Sequence, residues 1–333
     1  MGVNMLDVKQ VNAEVVLWEL WALRTASVKE LSQRTGLSFA TVASILSGFV
    51  ETGEVVLGGR LSGTGGRPSQ AYVFNAEFAH ILALSAQVRN GTHLIRSSVG
   101  TLYGETIATN EKSFDQIELI SFETMVDAAL QAHPKIKVAA FALPGVVRAG
   151  RVLVNDYPAL EGIDFPGHFR ERYGLLGVAG NDVNAALAGY AVNSEPAPVV
   201  AALYFPRQFN PGAAVMVDGK IVEGALGYAG EVSLLPIDVD WKRIDYYRPQ
   251  EIGPALARLV AVFCAIVNPS RVVLYGDFFT EETRRAVTQN IPSSGVNRIF
   301  PELVYDRDLD RDIIAGLFSQ AIAAYKQHHR TKQ

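Results

Sequence analysis

A chain of 333 residues that is 49% hydrophobic and 19% charged can bury two or three compact domains, and this balance excludes a disordered chain. No uninterrupted apolar run reaches bilayer length and the first residues lack a secretory pattern, so the expectation is a cytoplasmic protein with no membrane partner. The net charge of -4 excludes nucleic-acid binding through overall charge, which leaves only local contact, and the single cysteine, Cys264, excludes disulfides and multi-cysteine zinc sites.

From Asp7 to Arg24 the residues Val8, Val11, Val15, Trp18 and Ala22 recur at three- and four-residue spacing, which predicts an amphipathic helix with that stripe as its apolar face. Ser27-Val28-Lys29-Glu30 is a capping box opening a second, short helix that ends near Gly36. Gly36-Leu37-Ser38 makes a turn, with Ser38 placed to cap a third helix. Val42, Ile45, Leu46 and Phe49 form the inner face of that helix, which leaves Ser38, Phe39, Ala40, Thr41 and Ser44 as candidate DNA contacts at its outward start. Two strands, Glu54 to Leu57 and Ala71 to Phe74, flank a glycine-rich loop. In this loop Gly65-Gly66-Arg67-Pro68 carries Arg67 on a slim backbone suited to a narrow minor groove.

Here the sequence resembles the N-terminal part of the ROK family of repressors, open reading frames and kinases, through Thr35-Gly36-Leu37-Ser38, Thr41-Val42 and Gly65-Gly66-Arg67-Pro68. The resemblance implies a winged helix-turn-helix in which Arg67 enters the minor groove and the helix from Phe39 reads bases.

Beyond Asn75, strands at Ile81 to Leu84, His93 to Ile95 and Thr106 to Ala108 precede a helix from about Gln116 to Ala132 and a buried strand, Val138 to Leu143. A similar order recurs at Val199 to Tyr204, Ala213 to Val217, Lys220 to Val222, a long helix from about Glu251, and Arg271 to Tyr275. The fold class is thus α/β, with two lobes closing on a cleft behind the N-terminal domain. Leu143-Pro144-Gly145, Asn181-Asp182-Val183-Asn184-Ala185-Ala186, Ala229-Gly230-Glu231, and Asn268-Pro269 leading to Val272-Val273-Leu274-Tyr275-Gly276 resemble the ROK kinase domain in order and spacing. That resemblance implies a ribonuclease H-like, actin and sugar kinase architecture. The expected division is 1–76 for DNA binding, 77–185 for the first lobe completed by 306–333, and 186–305 for the second lobe.

By the same resemblance Asp182 stands at the catalytic base position, while Pro144, Gly145, Asn181, Asp182, Glu231 and Glu251 are the expected ligand-binding residues. Read locally, Asp182 is a helix cap, the role that local sequence alone favours over the base. The phosphate side departs from the family. Ala86-Gln87-Val88-Arg89-Asn90-Gly91-Thr92 lacks the acidic residue of the Asp-x-Gly-x-Thr loop, and Asn90-Gly91 reads as a hairpin turn. Phe205-Pro206-Arg207-Gln208-Phe209-Asn210-Pro211-Gly212 has bulky residues and prolines where active relatives carry glycines. The zinc segment between Glu231 and Glu251 contains neither cysteine nor histidine, so no metal and no cofactor are expected. Trp241, Tyr246 and Tyr247 fill that stretch as stacking surfaces for a sugar, as core, or as a dimer interface.

These features lead to a regulator with a catalytically inactive kinase-like domain. Its expected partners are a double-stranded DNA operator and a small-molecule effector, a sugar or sugar phosphate, and its expected assembly is a homodimer or a dimer of dimers. A sugar kinase with a DNA-binding arm and a ligand-independent scaffold are the alternatives. The basic end, Lys326 to Lys332, reads as a solvated tail.

Overall fold

The computed structural model describes residues 5–61, 69–89, 91–206, 209–291 and 300–331. The described residues fall into two compact units, one drawn from Met1–His80, Thr101–Glu105 and Ile322–Gln333, the other from Ile81–Gly100 and Thr106–Ala321. The chain end from Ile322 therefore groups with the N-terminal residues, whereas the sequence pattern had assigned all of 306–333 to the first lobe.

The first unit opens with helix α1 (Met5–Leu23), followed by strand β1 (Thr25–Ser27), helices α2 (Val28–Thr35) and α3 (Phe39–Thr52), and strands β2 (Val55–Leu61) and β3 (Ser69–Phe74). The strands form one antiparallel sheet in the order β1-β3-β2. Ser27 Oγ accepts the backbone N–H of Glu30 at 3.2 Å to start α2, and Gly36 ends it in the left-handed conformation at φ 72°. Ser38 then caps α3 by accepting the Thr41 N–H at 3.1 Å.

The expected apolar face of α1 is corrected: Val16, Leu17 and Leu20 are buried, while Val8, Val11 and Val15 are exposed. Two apolar stripes wind around this helix, and spacing alone does not say which one meets α2, α3 and β3. Trp21 Nε1 donates to the Leu102 carbonyl at 3.0 Å, and the Arg24 guanidinium lies over Tyr103 and pairs with Glu105 at 3.2 Å.

Of the segment expected to be a solvated tail, Lys326 and His329 pack against the N-terminal helix. Tyr325 is buried, Trp18 meets Tyr325 and His329 edge-on, and the Lys326 ammonium sits 3.0 Å from the Trp21 ring centroid. Sequence pattern missed this because the aromatic partners lie some three hundred positions away.

The second unit begins with β4 (His80–Arg89), β5 (Thr92–Gly100), β6 (Thr106–Phe114), α4 (Leu119–Ala132), β7 (Ile136–Leu143), the hairpin β8 (Val146–Arg148) and β9 (Arg151–Val154), α5 (Phe165–Tyr173) and β10 (Leu176–Asn181). It continues with α6 (Asp182–Asn193), β11 (Val199–Tyr204), β12 (Gly212–Val217), β13 (Lys220–Ile221), α7 (Pro249–Ile266), β14 (Arg271–Tyr275), α8 (Glu281–Gln289), β15 (Glu302–Asp306) and α9 (Leu309–Thr331), of which the part up to Ala321 belongs to this unit.

Two five-stranded sheets result, β10-β7-β4-β5-β6 and β13-β12-β11-β14-β15. In order of appearance both read fifth-fourth-first-second-third from one edge, so the recurrence legible in the sequence is a recurrence of topology. Central strands such as β7 and β14 are nearly continuous apolar runs because both faces are covered, whereas the exposed edge strand β6 carries Asn110, Glu111 and Lys112.

Phe122, Phe141, Phe165 and Phe169 interlock beneath the first sheet, with ring centroids 4.5 to 6.0 Å apart. Among the described residues α7 is the one helix whose length and composition suit a membrane span, yet Ile252, Leu256, Leu259, Val260 and Cys264 on it belong to the core cluster that includes Ala201, Leu203, Val272 and Leu274 of the second five-stranded sheet.

Candidate ligand cavity and helix surface

A cavity of about 280 Å³ opens among the ends of β7, β10 and β11 and the starts of α6 and β12. Pro144, Gly145, Asn181, Asp182 and Glu231 line it, and so do Asn155, Asp156, Tyr157, Tyr204, Phe209 and Tyr228. Glu251 is not brought there. It sits exposed in the first turn of α7, paired with Arg248 at 2.9 Å and accepting the Asp245 N–H, which serves the helix start.

Each lining residue is positioned by the chain around it. Asn181 caps α6 by accepting the Asn184 N–H at 2.9 Å, and its Nδ2 donates to the Gly145 carbonyl at 2.9 Å. Both ends of its amide thus hold protein, with one N–H and one lone pair left for a ligand. Asn155 works in parallel, donating to the Pro144 carbonyl at 2.6 Å and accepting the Tyr157 N–H at 2.9 Å, which fixes the turn presenting Asp156. Gly230 stands at φ 102°, where a Cβ would lie 1.9 Å from the Ala213 carbonyl oxygen; only glycine lets this turn lie against β12 and aim Glu231 inward.

Asp182, at the first position of α6, is buried and takes the Val183 N–H at 2.8 Å. Burial pushes its carboxyl up to about 7, with the charges of Asp156 and Glu231 adding to the rise. Asp156, at the cavity's edge, is pushed up to about 6 by the protein crowding its carboxyl, against the pull of Lys242. Burial also raises Glu231, and Asp156 adds to it. Three carboxyls with raised proton affinities share one space, so they titrate as a coupled group. Such a group offers acceptors and a carboxyl donor beside phenols and amides, the chemistry that matches a polyhydroxylated ligand. No lysine, arginine or histidine lines this cavity among the described residues. Asp156 escaped sequence reading, and the Asn155-Asp156-Tyr157-Pro158 turn directly after a strand was the signal available for it.

Beside this cavity, and sharing Gln87, Val88, Tyr204, Pro206 and Leu309 with it, is a second cavity of about 280 Å³, lined in part by Arg89 and Phe205. Asp277, Asp308 and Asp310 line it with Arg89 and Arg307. Asp310 accepts from Arg89 at 2.8 Å, from Arg96 at 2.9 Å and from Gln87, so these donors are already engaged by protein. The Asn90 turn, Arg207 and Gln208 lie outside the described residues.

The cysteine-free stretch after Glu231 is held by packing. Trp241 and Tyr246 are 4% and 5% exposed, and both contact Phe205; Tyr246 also meets Phe278, which touches Phe279. Tyr247 points outward at 63% exposed, so of the three aromatic residues two are core and none lines the cavity. Trp241→Ala is expected to cost about 3–5 kcal/mol, visible as a lower midpoint in urea unfolding, while an unchanged midpoint would remove the aromatic cluster as the fastener of this segment.

In the first unit, the start of α3 presents Phe39 (59% exposed), Ala40 and Ser44 to solvent, with Thr41 half-buried. The Ser38 and Thr41 hydroxyls bond each other at 2.8 Å. Arg67 lies outside the described residues.

Residues 86–241 match the ROK family. The chain is 25% identical over 237 residues to the xylose repressor of Caldicellulosiruptor bescii, an alignment covering 69% of this chain and 59% of the relative, so the chain spans about six tenths of that protein's length. Its fold is similar to that of a ROK family transcriptional regulator described as a homologue of the E. coli MLC protein, with a TM-score of 0.66 at 15% identity over 98% of this chain and 100% of the other. It is also similar, over 73% of this chain and 99% of the other, to a ROK family glucokinase from Streptomyces griseus in complex with glucose and AMPPNP, with a TM-score of 0.60 at 13% identity. Residues 86–241, just under half of the chain, thus form a segment that matches the ROK family, within a mixed α/β topology similar to that of a ROK family regulator.

Proposed function

We propose that this chain is a ligand-responsive transcriptional regulator of the cytoplasm. Residues 1–76 act as a winged helix-turn-helix on a double-stranded operator, and two ribonuclease H-like lobes, 77–185 with 306–321 and 186–305, bind a sugar without phosphorylating it. The observation that carries the reading is the surface of α3. Its first two turns, after a tight turn closed by Gly36, keep Phe39, Ala40 and Ser44 clear of the unit's core, as a helix entering a major groove requires. The chain's similarity to a xylose repressor and to a ROK family transcriptional regulator agrees with this reading.

Pro144, Gly145, Asn181, Asp182 and Glu231 hold the effector in this reading, with Asp156 and Tyr157 added and Glu251 left out. Three carboxylates and the absence of a described basic residue favour an uncharged sugar over a sugar phosphate. Phosphoryl transfer is disfavoured because positioning of the metal-nucleotide supplies most of its catalysis, and in the adjoining cavity Asp310 is already engaged by Gln87 and Arg89. The protein works as a homodimer or dimer of dimers, with two α3 helices on half-sites roughly 34–36 Å apart.

Fluorescence anisotropy of the full chain on a selected duplex is expected to show affinity falling steeply with salt, and Arg67→Ala is expected to weaken binding about tenfold or more. Undiminished affinity in that variant would remove the wing assignment. Raised Asp182 proton affinity favours the kinase alternative to this extent: a base near neutrality remains in place. A coupled assay decides, since sugar-dependent ADP formation abolished by Asp182→Asn would make the chain a kinase.

A further inference from the structure

The chemistry of α3 narrows what its DNA partner must offer. Between Phe39 and Thr52 the sequence contains no lysine, arginine, asparagine or glutamine, the side chains that form paired hydrogen bonds with guanine or adenine edges in the major groove. Its one charged residue, Glu51, sits in the last turn, three turns from the exposed start. Of the hydroxyls near that start, those of Ser38 and Thr41 are bonded to each other at 2.8 Å and Ser38 also takes the Thr41 N–H, so both are committed to the cap. What remains outward is a phenyl ring 59% exposed at Phe39, the Ala40 methyl, and the small Ser44 and Ser47 on the following turns. More than half of the Phe39 side chain stays in water in the free protein. It gains if its ring is covered by an apolar group of the partner.

We propose that Phe39, with Ala40 beside it, is a specificity-determining residue that reads thymine C5-methyl groups, so that this helix recognises consecutive thymines by apolar contact and not by hydrogen bonding. The C5-methyl is the apolar group a base pair exposes in the major groove, and alanine and phenylalanine are side chains that contact it. Small residues behind Phe39 let the helix backbone approach closely enough for the ring to lie on adjacent methyls. The inference rests on the DNA-binding reading above and adds the chemistry of the bases read.

The test starts with duplexes selected from a random-sequence pool by the full chain, which are expected to carry runs of A·T pairs with thymines facing Phe39. Each thymine is then replaced by deoxyuridine, which keeps every hydrogen-bonding group and removes the methyl alone. Loss of about fourfold in affinity per contacted methyl is expected, and Phe39→Ala is expected to bring the thymine-to-deoxyuridine ratio to about one while leaving salt dependence intact. Equal affinity for thymine and deoxyuridine duplexes, or a preference that survives in Phe39→Ala, overturns the proposal while sequence-specific binding itself stands. Failure of the pool to yield any enriched sequence overturns the DNA-binding reading and this inference with it. The deoxyuridine arm alters only the DNA, so it holds whatever the variant does to the protein.

Discussion

Alanine in place of Gly189 or Gly316 is expected to destabilise the second unit by about 3 kcal/mol or more, a loss larger than substitutions of this size usually cause. Helix propensity alone predicts the opposite, since alanine in a helix interior is favoured over glycine by about 1 kcal/mol. Packing decides. A Cβ at Gly189 on α6 would lie 1.8 Å from the Asp312 carbonyl oxygen and 2.6 Å from the Gly316 nitrogen on α9, and a Cβ at Gly316 would lie 1.9 Å from the Ala185 carbonyl oxygen. Non-bonded carbon contacts have their optimum near 3.5–4.0 Å, and the atoms met here are backbone, which has no rotamer to change. The two helices would have to separate.

That separation would reach the cavity, because α6 starts at Asp182 and α9 contributes Leu309 and Ile313 to the lining. Urea unfolding of each variant should show a lowered midpoint, and the stabilisation by sugar should disappear before the fold does. A wild-type midpoint in Gly316→Ala would mean that the helices do not cross at backbone contact.

Glycines at such a crossing illustrate where sequence stops being informative. Caps and turns were legible because they are local: Ser27, Gly36 and Ser38 act within three or four residues of themselves, and the strands of both lobes announce themselves as apolar runs. The cavity residues Asn181, Asp182 and Glu231 were legible through motifs, each of which is also local. What stayed hidden depends on partners distant in the chain. Trp18 and Trp21 pack with Tyr325 and Lys326, so a segment with the composition of a loose tail is ordered by residues at the other end.

Asp312, 1% exposed, accepts the Tyr275 hydroxyl at 2.6 Å and is paired with Arg311 at 2.9 Å, yet nothing in Arg311-Asp312-Ile313 marks a buried charge. The apolar face of α1 and the placement of Glu251 went astray for the same reason: spacing lists the candidates for contact, and only tertiary packing selects among them.

Asp182→Asn is expected to make the unliganded protein more stable at pH 8 and to abolish its response to sugar. The carboxyl titrates at about 7 in the folded chain, against about 3.9 for an unfolded aspartate. Between those values the native state holds a proton that the unfolded state has released, so the group's contribution to stability falls as pH rises from about 4 to 7 and stays at its minimum above. Asparagine never ionises, which removes the loss, and the gain at pH 8 should be on the order of 2 kcal/mol or more, shrinking toward zero near pH 4. It also relieves the repulsion that Asp156 and Glu231 exert on this position.

The functional consequence runs the other way. A sugar at a hundred times its dissociation constant should stabilise the wild type by about 2.7 kcal/mol, while the variant, whose amide places an N–H donor where Asp182 offers a second, ionisable oxygen, should show almost no shift. Thermal melts of both proteins from pH 5 to 8, with and without a panel of monosaccharides, measure the two effects at once. A variant less stable than wild type at pH 8 would mean that a cation balances Asp182 and that the cavity's charge has been misread. A variant still stabilised by the same sugar would move the effector away from α6.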